Sequence, residues 1–408
     1  MQNGCEFCNY LMIKYMIKGE KRLEEREVEL TILMPCLNEA ETLEICIKKA
    51  MSFLTDNHVD GEVLIADNGS TDGSQEIARR NGARVVDIEQ KGYGSALRGG
   101  SEKARGKYVV MGDADDSYNF LNLMPFLEKL RAGYELVMGN RFKGGIEKGA
   151  MPPLHKYLGN PVLSFIGRIF YPSDIKDFHC GLRGYNRAAI QSLQLQTTGM
   201  EYASEMVVQA TLHKLKMIEV PTTLSPDGRT RPPHLRSWRD GWRHLKFLMM
   251  YSPNWTFLYP GLILSVIGLL IMVIIGIGPS RIGAVNFGIN TMMYGATSLL
   301  VGVNISLFSM FTKAYALSSG FIPNSPKTVS LLERFTVEKG VVIGVILTIL
   351  GIIATIIAFV IWGSHSFGNL QPESIMKITI PATTLIAIGI ELVFASFFLG
   401  ILEIERKK

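Results

Sequence analysis

Tyr108-Val109-Val110-Met111-Gly112-Asp113-Ala114-Asp115-Asp116 is the stretch on which the fold turns. Residues 108–112 are a short apolar run rich in β-formers, too short for a helix, and they break into an acidic turn. Working backward, residues 29–35 form an apolar strand ending in Pro35, 63–66 a second and 84–87 a third. Helical patterns alternate with them. One opens at Asn38-Glu39 and runs to 55 with Leu43, Ile47, Ala50 and Leu54 on one face. A second is capped by Thr71 or Asp72, and a third spans 92–105. Working forward, 136–140 is a fifth strand. Strand–helix alternation with short turns predicts an α/β Rossmann-like domain, its mostly parallel central sheet covered on both faces. Ligands bind such sheets at the carboxyl ends of the strands, where the acidic turns lie.

The chain has 408 residues with a net charge of +5. Its 47% hydrophobic content hides a split between a mixed, charged first part and a strongly apolar last part. Four organisational pieces follow: an N-terminal arm (1–28), an α/β domain (29–225), a basic loop with an amphipathic helix (226–252) and a transmembrane domain (253–408). The basic residues form no long stripe with interleaved aromatics, which argues against a nucleic-acid partner. A mild positive charge suits anionic lipid and phosphorylated substrates. The five cysteines, Cys5, Cys8, Cys36, Cys46 and Cys180, are sparse and odd in number, pointing to a reducing compartment without a disulfide framework. Cys5 and Cys8 have no second CxxC or His pair to complete a zinc site. No secretory signal is visible in residues 1–29, which carry Lys14, Lys18, Lys21 and Arg22 and no clean apolar core.

Four apolar runs, about 255–278, 289–315, 340–362 and 378–402, are each long enough to cross a ~30 Å hydrocarbon core. Lys327, Arg334, Lys339 and the Arg406-Lys407-Lys408 tail outnumber Arg281 and Lys377 on the opposite loops. By the positive-inside rule the α/β domain and the C-terminus face the cytoplasm of a cell (inner or plasma) membrane. Trp238 and Trp242 among Arg239, Arg243 and Lys246 suit a helix lying in the bilayer interface. Glu391, inside the last span, is costly there: it is either functional or paired, for instance with Asn304. Glycines such as those in 340–351 could let the spans pack against a second copy, giving a homo-oligomer.

Four constellations carry chemistry. Asp113 and Asp115 at a strand end can hold a divalent cation and, through it, a diphosphate. Asp67-Asn68-Gly69-Ser70-Thr71-Asp72-Gly73 can accept hydrogen bonds from a base or ribose; it also reads as a plain Asx turn. Pro35-Cys36-Leu37-Asn38-Glu39 can bring Glu39 beside the same ligand, or simply supply negative charge at a helix start. Lys91-Gly92-Tyr93-Gly94 offers backbone N–H groups to a phosphate.

As a set, in order and spacing, these motifs resemble family 2 glycosyltransferases, and within them the polyprenyl-phosphate group typified by dolichyl-phosphate mannose and glucose synthases. The likeness covers roughly residues 29–250. It implies a GT-A fold and inverting transfer of a hexose from a nucleotide diphosphate sugar to a polyprenyl phosphate such as undecaprenyl or dolichyl phosphate. It places Pro35, Leu37, Glu39, Asp67, Asn68, Gly92, Asp113, Ala114 and Asp115 around the nucleotide sugar, with Asp115 on Mg2+ or Mn2+. Gly139-Asn140-Arg141-Phe142 resembles the segment whose Arg meets the acceptor phosphate, with His155, Lys156, Arg229 and Arg231 as further acceptor groups. Arg183, in the Asp177–Arg183 segment, can instead be structural through a pair with Asp177, and Glu205 matches a recurrent helical acid. A lipid phosphate is already anionic near neutral pH, so Asp113, Asp115 and Arg141 would work by positioning and charge stabilisation. Two other readings compete. A processive polysaccharide synthase should carry Q-x-x-R-W, which is missing from Ser237-Trp238-Arg239-Asp240-Gly241-Trp242. A non-catalytic membrane scaffold would have no use for Asp67, Asp113, Asp115 and Arg141 together.

Overall fold

The computed structural model describes residues 27–230, 237–278, 280–282, 285–319, 335–368 and 371–406. Cys5 and Cys8 with nearly all of the expected arm, Arg231, and the charges Lys327, Arg334, Lys407 and Lys408 lie outside the described residues. The chain divides into two compact units, Met1–Leu248 and Met249–Lys408.

The first unit is a seven-stranded sheet of order β3-β2-β1-β4-β6-β5-β7. Its strands are β1 (Val28–Cys36), β2 (Gly61–Asp67), β3 (Arg84–Asp87), β4 (Gly106–Met111), β5 (Leu136–Asn140), β6 (Arg183–Asn186) and β7 (Met217–Pro221). All neighbours are parallel except β6, which runs antiparallel to β4 and β5. The helices are α1 (Leu43–Asp56), α2 (Ser74–Arg80), α3 (Tyr93–Lys103), α4 (Met124–Arg131), α5 (Arg141–Gly144), α6 (Asn160–Phe170), α7 (Arg187–Ser192), α8 (Tyr202–Leu212) and α9 (Ser237–Met250). A π-helical turn, His155–Gly159, leads into α6. Side-chain alternation along the central strands builds two cores. Leu30, Ile32, Met34, Val63, Ile65 and Val110 face one, and Leu33, Leu64, Ala66, Val109 and Met111 face the other. Burial on both faces is why these strands read as continuous apolar runs.

Two expectations are corrected. The helix expected from Asn38 begins at Leu43. Asn38 is left-handed (φ 59°) and its side chain accepts from Thr71 N, while Asn38 N and Glu39 N donate to Ser70 and Ser74. Residues 38–42 therefore bridge to the β2 turn instead of coiling. Strands β6 and β7 were not foreseen: Arg183-Gly184-Tyr185-Asn186 has no apolar run and pairs only because β4 and β5 flank it.

The second unit holds four helices long and apolar enough to cross a membrane, within Asn254–Ile277, Ile289–Ser318, Val337–Ser364 and Glu373–Leu402. They are α10 (Tyr259–Ile277), α11 (Ile289–Ser318), α12 (Val337–Ser364) and α13 (Pro372–Arg406). The α12 glycines expected to meet another copy are used within the chain. A Cβ at Gly344 would lie 2.6 Å from Gly389 O, and one at Gly351 would lie 2.7 Å from Ala382 O, both on α13. Asn304 Nδ2 donates to Glu391 Oε1, so the intramembrane carboxylate is paired.

Candidate active site

The chain leaves β1 for β2 and β3 on one side, then returns to β4 on the other. This switch opens a crevice at the carboxyl ends of β1 and its neighbours, the usual ligand position in such sheets. Asp67 ends β2, Glu39 follows β1, and Asp113 and Asp115 follow β4.

Asp67 is 1% exposed. Its Oδ2 accepts from Gly69 N, Ser70 N and Gln75 Nε2, while Oδ1 is buried with no hydrogen-bond partner. Burial pushes the Asp67 carboxyl up, but hydrogen bonds from Ser70, Gln75 and Gly69 outweigh it and hold the group below its ordinary range. An ionised acceptor with one unsatisfied oxygen at a strand end can take an N–H or O–H from a ligand. Asn68 does a different job. Its Nδ2 donates to Ile88 O and Gln90 O and its Oδ1 accepts from Gly92 N, so this side chain fastens the 88–92 loop to β2. Gly92 has φ +129°, and a Cβ there would collide with Thr198 O. Lys91 Nζ donates to Asn68 O at 2.7 Å, completing the link.

Tyr93 Oη donates to Asp113 Oδ1 at 2.8 Å. Burial and the neighbouring Asp115 charge push the Asp113 carboxyl up to about 6. Gly181 makes room for it: a Cβ there would lie 2.5 Å from Asp113 Oδ2. Asp115 Oδ1 accepts from Ser117 N and Oγ, and Oδ2 accepts from Arg229 Nη2 at 2.7 Å. Arg229 Nη1 reaches Glu39 Oε1 at 3.1 Å, and Asp227 pairs with Nη2. The guanidinium thus lies among three carboxylates. Segment 225–230 is strapped over the acidic turn by Ser225 N to Ser117 O and Gly228 N to Asp115 O, and Thr230 is held by Glu41. Ala114 is buried, and its carbonyl accepts from Thr42 Oγ1 at 2.7 Å, tying the acidic turn to the start of α1. Pro35 lies in β1 opposite Ala66, and Leu37 is exposed just beyond.

Among the described residues, no group of three or more His, Cys, Asp or Glu could hold a metal ion. A hard divalent cation bound by one or two carboxylates and completed by phosphate oxygens is another matter. Asp115 could supply it with Oδ2, provided that the cation takes the place Arg229 Nη2 holds at that oxygen.

Arg141 is only 7% exposed. Asp177 holds it through Nε (2.8 Å), Nη2 (2.7 Å) and the backbone N (3.1 Å). Arg183 therefore does not pair with Asp177. It is fully buried and donates to the carbonyls of Cys180, Ala203 and Phe178. His155 and Lys156 lie in the π-helical turn, half-buried. Burial, then the Arg141 charge, lowers the His155 pKa. Glu205 receives Gln196 N, Thr197 N and Thr197 Oγ1, a purely local clasp. The sequence reading missed Tyr93, Gln75 and Asp177 as partners of the acidic and basic groups. Tyr93 and Asp177 meet their partners across the fold, and Gln75 reaches back from the first turn of α2 to the end of β2, so no residue pattern marks any of them.

The description "Glycosyl transferase family 2" matches residues 31–194, and "Glycosyltransferase family 2 C-terminal transmembrane region" matches 310–403. The low-salt glycan biosynthesis hexosyltransferase Agl6 of Haloferax volcanii is 38% identical over 375 residues, 91% of this chain and 88% of that protein. A dolichyl-phosphate hexose transferase of the same organism is 29% identical over 194 residues, 47% of this chain and 81% of that one. A solved structure of glucosyl-3-phosphoglycerate synthase from Mycobacterium tuberculosis, with Mn2+, UDP and glucosyl-3-phosphoglycerate, aligns with 22% identity and a TM-score of 0.44 over 55% of this chain and 78% of that one. With an acidic strand-end crevice on a GT-A sheet and a relative of this identity matched along nearly its whole length, the chain belongs to glycosyl transferase family 2.

Proposed function

We propose that this enzyme transfers a hexose, with inversion, from a nucleotide diphosphate sugar to a polyprenyl phosphate at the cytoplasmic face of the membrane. The observation that carries the reading is the Glu39–Arg229–Asp115 arrangement at the switch point, where opposite charges converge on the same strand-end edge of the sheet as the unsatisfied Asp67 Oδ1. Asp67 Oδ1 would accept from the nucleobase or ribose. Asp115, with Asp113 beside it, would hold Mg2+ or Mn2+, which would neutralise the leaving diphosphate. Arg229 would bear on the diphosphate from the strapped 225–230 segment. Asp177 engages Nε and Nη2 of Arg141, fixing the guanidinium so that Nη1 can meet the acceptor phosphate, with His155 and Lys156 near. The bond from the anomeric carbon to the diphosphate breaks and its electron pair leaves with the nucleotide. An acceptor phosphate oxygen forms the new bond from the opposite face. The acceptor oxygen is already an anion, so no general base is required of the chain. A lipid acceptor is supported by the relative named as a dolichyl-phosphate hexose transferase and by four helices fit to cross a membrane.

The test is a donor screen with the full chain, undecaprenyl or dolichyl phosphate, and Mg2+ or Mn2+, read by lipid mass spectrometry. A sugar-phosphate lipid is expected with one donor. Asp115→Ala should lower its formation about a hundredfold or more. Near-normal turnover by Asp115→Ala, or by a folded Arg141→Lys variant, would sink the assignment.

A further inference from the structure

Lys313, in α11, is a cation buried without a counterpart. It is only 7% exposed, and among the described residues it makes no hydrogen bond and no ion pair. Glu391 is not available to it, since that carboxylate accepts from Asn304, which precedes Lys313 on α11 by roughly 13 Å along the helix axis. A lysine that merely reaches for water from a lipid-facing surface would be exposed in the bare protein, as Phe308 (51%) and Tyr315 (53%) on the same helix are. Lys313 belongs instead to the packed face, where Ser309, Ala316 and Leu317 are buried at helical spacing from it. A charge so placed is costly unless something of opposite sign meets it, and ionisable groups within membrane helices mark sites by default.

Depth says what the anion is. α11 has 30 residues, about 45 Å of helix against a hydrocarbon core of ~30 Å, so a centred helix extends roughly 8 Å past the core at each end. Lys313 precedes the last residue, Ser318, by roughly the same 8 Å. It stands where hydrocarbon gives way to headgroups, at the level of the lipid phosphates. This is also the end at which the chain enters the bundle. Ser309, one turn earlier on the same face, donates its hydroxyl to Pro253 O at 3.2 Å, just ahead of the π-helical turn Asn254–Leu258. Ala314, Leu317 and Leu399 form an apolar cluster between α11 and α13 at this level. An ammonium with apolar packing on one side and phosphates at its own height suits the head of a lipid whose chain follows the apolar side.

We infer that Lys313 binds the phosphate of a membrane lipid, at a site built from the second unit alone. Two sources carry that chemistry: the polyprenyl phosphate of the catalytic proposal and an ordinary anionic phospholipid. The inference rests on the second unit crossing the membrane, and not on the sugar transferred.

The test uses the full chain in dodecyl maltoside, unsubstituted and as Lys313→Met and Lys313→Arg. Undecaprenyl phosphate, phosphatidylglycerol or phosphatidylcholine is titrated in, and bound lipid is counted by native mass spectrometry. For at least one of the two anionic lipids, Lys313→Met should bind about tenfold more weakly at one site, while Lys313→Arg keeps the affinity. Phosphatidylcholine, without net charge, should bind all three chains alike. A difference confined to undecaprenyl phosphate assigns the site to the acceptor lipid, and one that includes phosphatidylglycerol assigns it to the anionic bilayer. Equal affinities of the unsubstituted chain and Lys313→Met for both anionic lipids would overturn the inference. Melting in lipid-free detergent separates out a structural role. Met replaces an unpartnered buried lysine at no cost to the fold, so a lower midpoint for Lys313→Met would reveal a counterpart within the chain and overturn the inference as well. No sugar transfer enters the readout, so the catalytic proposal and this one fail separately.

Discussion

His179 and His244 show how single residues tie α9 to the catalytic domain. Their rings pack edge to face at 4.6 Å, and Ser204 Oγ lies 2.8 Å from His244 Nδ1. Burial lowers the His244 pKa to about 4, with Asp240 partly opposing and Arg183 adding to the effect. Burial and His244 depress His179 in the same direction. A histidine kept neutral in the fold but protonated when unfolded contributes stability that is complete above 6.5 and is lost as pH falls toward 4. For His244 the loss is on the order of 3 kcal/mol across that window. Thermal midpoints measured from neutral to acidic pH should therefore fall, and His244→Asn should flatten the slope. Gly181 gives a second expectation. A methyl group 2.5 Å from Asp113 Oδ2 must displace that carboxylate. Gly181→Ala should keep a native circular-dichroism spectrum while losing about tenfold or more of transfer activity, since small displacements in a catalytic site are costly. The acids were legible because each stands at the end of an apolar run. The meaning of Asn68 was not, because its side chain bonds to the 88–92 loop, distant in sequence; nor was that of Arg183, because its partners are backbone carbonyls, which no residue type marks.

Among elements, the central strands β1, β2 and β4, with β5, were legible from sequence, since burial on both faces writes itself as Val, Ile and Leu runs, whereas β7, largely half-buried, was not. β6 left no such trace, because its place was set by the partners on either side. In α6, Val162, Phe165 and Ile169 recur with a helical period visible in the sequence; what only the structure adds is that they are exposed while Ser164 and Gly167 are buried. In the membrane unit, α12 and α13 cross closely enough that a Cβ at Gly389 would lie 2.5 Å from Gly344 O and collide with Thr348. Small residues at such crossings let backbones approach where lipid offers no hydrophobic drive. Gly389→Leu should cost about 1–3 kcal/mol through overpacking. The check is the melting temperature of the full chain in detergent, followed by fluorescence-detected size exclusion. Unchanged melting would show that α12 and α13 can separate at no cost.

At the scale of the molecule, connectivity makes a prediction that neither unit makes alone. With four helices long and apolar enough to cross a membrane, and Lys327, Arg334 and Lys339 in the sequence between the second and third, we expect a reporter inserted between α10 and α11 to be active outside the cytoplasm. One fused after Arg406 should be active inside. Paired fusions to alkaline phosphatase and to a fluorescent protein check this, and the reverse pattern would place the sugar-transfer site on the other face of the membrane. The sequence alone determined the α/β class, the four helices long and apolar enough to cross a membrane, and the acidic strand ends, because these depend on local period, run length and residue type. Tertiary structure alone decided that Arg229 joins Asp115 and Glu39, that Arg141 rather than Arg183 engages Asp177, and that the α12 glycines serve α13. Each of those is a choice among partners of equal local chemistry, and only the path of the chain in space can make it.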